Sequence, residues 1–205
     1  MINSIQNIIK SRSSINNFQP NRPLDNAIIT LLVDLATKAP TAYNLQNWRF
    51  IAVSSENHKD LLKAAAYGQK KISEASVSFI ICGTLDAHMQ LQKTLQPNLK
   101  ANIMDHDDIN SWVKQAETAY DGNLLLQRDE AIRSASLAAM TLMIAAEDLG
   151  LGTCAMGGFD AMQVIEKFKL SSEDLPVLII AVGYPSTNNW NQKIRKPLDE
   201  ILTIL

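Results

Sequence analysis

Cysteine is scarce. Only Cys82 and Cys154 stand in 205 residues, both in runs of apolar or small residues and with no Cys-x-x-Cys pair. A disulfide framework is therefore not expected. Histidine is equally sparse: His58, His88 and His106 are scattered. His106 lies in Asp105-His106-Asp107-Asp108, but Ile109, Trp112, Val113 and Ala116 follow at helical spacing. That run reads as a helix start with acids in its first turn, and no metal is expected. Neither sign of charge is in excess: 19 Lys and Arg face 21 Asp and Glu, a net charge of -2. Nucleic-acid and acidic-membrane partners are accordingly not expected. Long apolar runs are missing too. The most apolar helical stretch, Leu137 to Ala146, falls between Arg133 and Glu147, well short of the roughly 20 residues that span a bilayer. The opening Met1-Ile2-Asn3-Ser4 has no basic region before an apolar run, so no signal peptide is read and the expected location is cytoplasmic. There is no internal repeat, Walker motif or nucleophile elbow. The glycines from Gly150 to Gly158 lack Gly-x-Gly-x-x-Gly spacing and follow a helical pattern, which argues against a Rossmann site.

What remains is ordinary globular composition, 46% hydrophobic and 20% charged, in a length suited to one domain over residues 1–205. Helices are predicted from Asn3 to Lys10, from an Asp25 cap to about Lys38, and from Glu56 to Ala66. A long central helix is predicted from Arg128 to Leu149, ended by Gly150, and another from an Asp160 cap to Phe168. Strands are predicted at Trp48 to Ser54, Val77 to Gly83 and Val177 to Gly183, the last two apolar enough to be buried. The more polar stretch 86–127 reads as a helical excursion from the core, with Pro97 as a break. Few strands among long helices indicate an α+β fold, a small central mixed sheet covered by helices. The apolar tail Ile201 to Leu205 needs burial, for which a partner subunit is one candidate.

Several features could carry chemistry. Arg12 with Ser13 and Ser14 could bind a phosphate by charge-assisted hydrogen bonds, although by themselves they read more readily as a solvated helix end. Lys193 and Arg195, two apart in an extended segment, could face one anion or be plain surface charges. Gly157 and Gly158 leave backbone N–H groups open to a flat ligand, or form a flexible turn between two helices. Tyr67, Trp112, Tyr120 and Trp190 by themselves read as packing residues.

Taken in order, these fragments resemble the nitroreductase-like flavoproteins. Ile9-Lys10-Ser11-Arg12-Ser13-Ser14-Ile15-Asn16-Asn17-Phe18 resembles the family's Arg-Arg-Ser-x-Arg-x-Phe element. Ala39-Pro40-Thr41-Ala42-Tyr43-Asn44-Leu45-Gln46-Asn47-Trp48-Arg49-Phe50 resembles Ala-Pro-Ser-x-x-Asn-x-Gln-Pro-Trp-x-Phe. Gly150 to Asp160 resembles Gly-Leu-Gly-x-x-x-x-Gly-Gly-Phe-Asp, and Val182-Gly183-Tyr184-Pro185 with Lys193-Ile194-Arg195 match the C-terminal elements. The resemblance implies a dimeric nitroreductase-like fold with FMN at the subunit interface. Arg12, Lys193 and Arg195 would hold the FMN phosphate. Ser13, Ser14 and Asn16 would line the ribityl chain and pyrimidine. Pro40, Thr41, Ala42 and Asn44 belong to a loop contributed by the other subunit. Lys71 would lie near flavin N1 and O2, with Gln69 in the same stretch, and Met156, Gly157 and Gly158 near N5. Tyr67, Trp112 and Tyr120 are the candidate walls of a substrate pocket shaped by 86–127. This chain departs from the family pattern at Ser13, Asn16, Asn47 and Gly68.

The implied activity is reduction of small electrophiles, such as nitro-aromatics or quinones, with NADH or NADPH by ping-pong hydride transfer. The alternatives are a flavin, enone or aldehyde reductase of the same fold, or a non-catalytic FMN-binding module.

Overall fold

The computed structural model describes residues 4–205. Its helices are α1 (Ile5–Ser11), α2 (Asn26–Ala36), α3 (Glu56–Ala65), α4 (Lys70–Glu74), α5 (Leu91–Lys100), α6 (His106–Tyr120), α7 (Leu124–Asp148) and α8 (Ala161–Phe168). Its strands are β1 (Trp48–Val53), β2 (Val77–Thr84), β3 (Gly152–Met156) and β4 (Asp174–Gly183). The predicted start of the first helix, Asn3, lies outside the described residues.

The strands form one sheet in the order β1-β2-β4-β3. Every ladder is antiparallel, so the expectation of a mixed sheet is corrected. Continuous apolar runs in β2 and β4 do report burial on both faces, but helices supply that cover without parallel pairing. Among the described residues a parallel contact remains only as an isolated bridge, Ser14 to Thr153.

Strand residues alternate between two cores. On one face Ile80, Cys82, Ile179 and Ala181 pack with Leu62 of α3, Ile72 of α4 and Val164 of α8. On the other, Val77, Phe79, Ile81, Ile180 and Val182 pack with Leu32 and Ala36 of α2 and with Ala135, Ala139 and Leu142 of α7. Small residues let α7 approach closely. A Cβ on Gly83 would meet Ala131 O at 2.4 Å, so β2 touches α7 backbone to backbone. A third cluster, Leu91, Leu95, Ile109, Ala116 and Tyr120 with Leu45, belongs to α5, α6 and the loop before β1.

Local signals succeed where side chains act on their own backbone. Asp105 accepts from Asp108 N at 2.8 Å in a capping box, confirming a helix start there. Asp160 caps α8 by accepting from Gln163 N at 3.1 Å. These bonds hold its carboxyl below the usual carboxylate range. Asp25 stands at the N-cap of α2, but its side chain makes no cap bond. Pro97 does not break its helix. It sits on an exposed turn of α5, which continues to Lys100 because Leu91 and Leu95 are wholly buried.

Candidate functional site

Strand β3 uses one side to pair with β4 and presents the other as an edge. The segment after α1 runs along that edge. Ile15 N donates to Thr153 O at 2.9 Å, and a Cβ on Gly152 would strike Ile15 Cγ1 at 2.5 Å. The segment after β4 then folds onto the same strip. Asn189 Oδ1 accepts from Asn16 N at 2.8 Å and Asn17 N at 2.9 Å, while its Nδ2 donates to Asn17 O and Ser186 O at 2.9 Å. Gln192 Nε2 donates to Arg12 O at 3.0 Å. Thus Arg12 and the segment that carries Lys193 and Arg195 become neighbours across 180 residues.

Lysine 71, at the start of α4, reaches this strip. Its Nζ stands 3.4 Å from Asn16 Oδ1 and 3.5 Å from Cys154 Sγ. Gln69 Nε2 donates to Gly158 O at 2.9 Å. The predicted residues Asn16, Gln69, Lys71 and Gly158 therefore meet around the C-terminal end of β3. Beyond it the backbone is open: a Cβ on Gly157 would meet nothing within 4 Å, and one on Gly158 only Gln69 Nε2 at 3.9 Å. Among the described residues, no carboxylate pairs with Arg12, Lys71, Lys193 or Arg195. Lys193 Nζ lies 4.0 Å from the Trp190 ring centre, and Arg195 Nη1 donates to Lys193 O at 2.9 Å.

The Pro40–Asn44 loop lies elsewhere. Ala42 N donates to Glu130 Oε1 of α7 at 3.4 Å. Tyr43 meets Trp112 and Tyr120 edge to face, with ring centres 6.1 and 6.4 Å apart. Among the described residues no hydrogen bond or ring contact joins this loop to the Lys71 group. The loop is also strained: Tyr43, Asn44 and Gln46 have φ of 50°, 55° and 49°, a conformation L side chains adopt rarely. The three predicted pocket walls divide the same way. Tyr67, 73% exposed, sits on the turn before Lys71, whereas Trp112 and the buried Tyr120 belong with the loop. Burial, and next the Glu130 carboxylate, push the Tyr120 hydroxyl upward in pKa.

Sequence reasoning missed two pieces. One is strand β3, whose glycine flanks read as a turn. The other is Asn189, three of whose four bonds pin the two terminal segments together. Its only signal was an amide residue in a loop four residues before Lys193. Cys154, in contact with Lys71, was read only as a cysteine outside any disulfide framework.

A small antiparallel sheet with helices on both faces, and a cationic polar strip along its edge strand, define a class of α+β protein whose candidate site lies beside that edge strand. The nitroreductase family model matches residues 9–184, and the chain belongs to that family. YodC of Bacillus subtilis, provisionally named an NAD(P)H nitroreductase, is 36% identical over 198 residues, 97% of each chain. A Bacillus subtilis crystal structure, ydfN, provisionally described as a nitroreductase, superposes with a TM-score of 0.91 at 29% identity over 98% of each chain. A provisionally described nitroreductase from Exiguobacterium sibiricum, crystallised with FMN, gives 0.92 at 24% identity over 99% of this chain and 98% of that one. The last likeness is one of fold.

Proposed function

We propose that this protein is an FMN-dependent reductase. It would take electrons from NADH or NADPH and deliver them to small electrophiles such as nitro-aromatics or quinones, in ping-pong order. The observation that carries this is the strip beside β3: Lys71 against Asn16, unpaired cations at Arg12, Lys193 and Arg195, and open backbone at Gly157 and Gly158. Those residues fit FMN. Three cations without carboxylates suit a phosphate dianion, and glycines with no neighbours suit a flat ring.

Arg12, Lys193 and Arg195 would hold the phosphate, and Ser13, Ser14 and Asn16 the ribityl and pyrimidine side. FMN, when bound, supplies the hydride acceptor and donor that no amino acid provides. Lys71 contributes a positive charge matched to the charge gained on two-electron reduction, held in place by Asn16 and Cys154. Gly157 and Gly158 leave one face clear, so nicotinamide and acceptor can use it in turn. A homodimer would complete the site by bringing Pro40, Thr41, Ala42 and Asn44 of a second copy to this strip. Residues 86–127 would then shape the pocket through Trp112 and Tyr120, with Tyr67 opposite. The exposed apolar tail supports a second copy: Ile194, Leu198, Ile201 and Ile204 are each more than 60% exposed.

The test is the visible spectrum of the purified protein. We expect a yellow protein whose heat-released flavin is FMN rather than FAD. Anaerobic NADH or NADPH should bleach it, and a nitro-aromatic or quinone should restore the colour. A colourless protein that ignores added FMN would sink the reading.

A further inference from the structure

A small cavity of about 10 Å³ lies between the loop before β1, the start of the α5–α6 excursion and α7. Leu45, Asn47, His88, Tyr120, Gln127 and Glu130 contribute to its wall, and all six are more than nine-tenths buried. The space is about that of one water molecule.

The unmet bonding at this wall is specific. Asn47 Oδ1 and Gln127 Oε1 are both buried without a hydrogen-bond partner. The orientation of Gln127 is fixed by its other end, since Nε2 donates to Tyr120 O at 2.8 Å. Both orphans are neutral acceptors. The one buried charge beside them is already matched: Glu130 accepts from Arg133, from Ser134 Oγ at 3.2 Å and from Ala42 N at 3.4 Å. The two buried orphans therefore lack hydrogen donors, and the wall's other carboxylate, Asp86, is only partly buried. Two neutral amide acceptors call for donors rather than for charge, and one water brings two donors.

We propose that this cavity is a built site for one ordered water that donates to Asn47 Oδ1 and Gln127 Oε1. The site has a job in the fold. Gln127 and Glu130 are three apart on α7 and face the same way. Glu130 grips Ala42 directly, and Gln127 grips Asn47 through the water. The two grips bracket Tyr43, Asn44 and Gln46, the residues with positive φ. A strained segment persists only when its surroundings over-determine it, and the water is one of those determinants. The inference stands whether or not FMN binds.

Two measurements on the wild-type protein and one variant decide it. A crystal structure that resolves ordered waters should show one peak within about 2.7–3.2 Å of both amide oxygens. It should be unchanged in crystals grown with a thallium(I) salt. A thallium anomalous peak there would make it a cation site, and no peak would make it a void; either overturns the proposal. In Asn47→Leu, nearly the same shape without the acceptor, urea unfolding should show the folding equilibrium constant reduced about tenfold. Amide exchange at Tyr43 to Gln46 should quicken. If Asn47 were merely an unsatisfied acceptor, removing it would leave stability equal or higher, and that result would overturn the proposal too.

Discussion

Along the edge of β3 the important side chains are polar or cationic, and their partners are few. Lys71 has an amide oxygen and a thiol at 3.4 and 3.5 Å, and Gly157 faces open space. In the loop before β1 the opposite holds. Tyr43 is boxed by two aromatic rings, Ala42 is held by a buried carboxylate, and the backbone is strained into place. The first region offers charge and space without walls. The second offers rigid aromatic walls and a fixed backbone. Each supplies what the other lacks, although one chain does not bond them together. That complementarity is the physical reason to expect a site shared between two copies.

The comparison breaks most sharply at the cations. Replacing both Lys193 and Arg195 by alanine should weaken FMN binding by about two decades or more, because each charge-assisted contact contributes about 1.5–3 kcal/mol. Fluorescence titration measures this, and far-UV circular dichroism should be unchanged, since both side chains are exposed. Equal affinity would remove these residues from the site. Lys71→Met should act differently, slowing anaerobic flavin reduction roughly tenfold or more while FMN affinity moves far less. Its charge is matched to charge that develops only on reduction. Stopped-flow bleaching by NADH or NADPH checks it, and an unaltered rate would release Lys71 from its role. The two cysteines extend the comparison at smaller scale. Burial first, then the nearby Asp174, push the Cys82 thiol up to about 12, against a smaller opposing pull from Arg49. Native Cys82 should therefore resist a maleimide at pH 8 and label only on unfolding; mass spectrometry of the modified peptide would reveal early labelling.

How much of this could be read from residues alone differs between the regions. Core strands β2 and β4 announce themselves through apolar runs, and α6 through Asp105 and Asp108, because the relevant forces act locally. Strand β3 does not. Gly-Thr-Cys-Ala-Met is too short and too small-sided to alternate visibly, and it becomes a strand by pairing with β4. The antiparallel sense of the sheet is likewise set by chain path, which periodicity does not encode. At the candidate site, Arg12, Lys71 and Gly157 are named by resemblance. Their juxtaposition is not, because it depends on Asn189 and Gln192 folding back over 170 residues. The left-handed backbone at Tyr43 left no trace in sequence, since a tyrosine gives no warning of positive φ.

The last test asks whether the two regions work across subunits, and it turns on a factor of about two. Take one variant damaged only at Lys193 and Arg195, and another damaged only in the Pro40–Ala42 loop. If each site joins the strip of one copy to the loop of the other, both homodimers carry a defect in every site and should be poorly active. In a mixed dimer the defects segregate. One site collects both, and the other is formed from an intact strip and an intact loop. Two tags and tandem purification isolate that species. It should recover about half the wild-type activity per dimer, because one of two independent sites is whole. If strip and loop instead served one site within a single chain, every site in the mixed dimer would carry one defect. Its activity would then equal the mean of its parents, and the shared-site reading would fall. Sedimentation of the wild-type protein as a monomer would end it sooner.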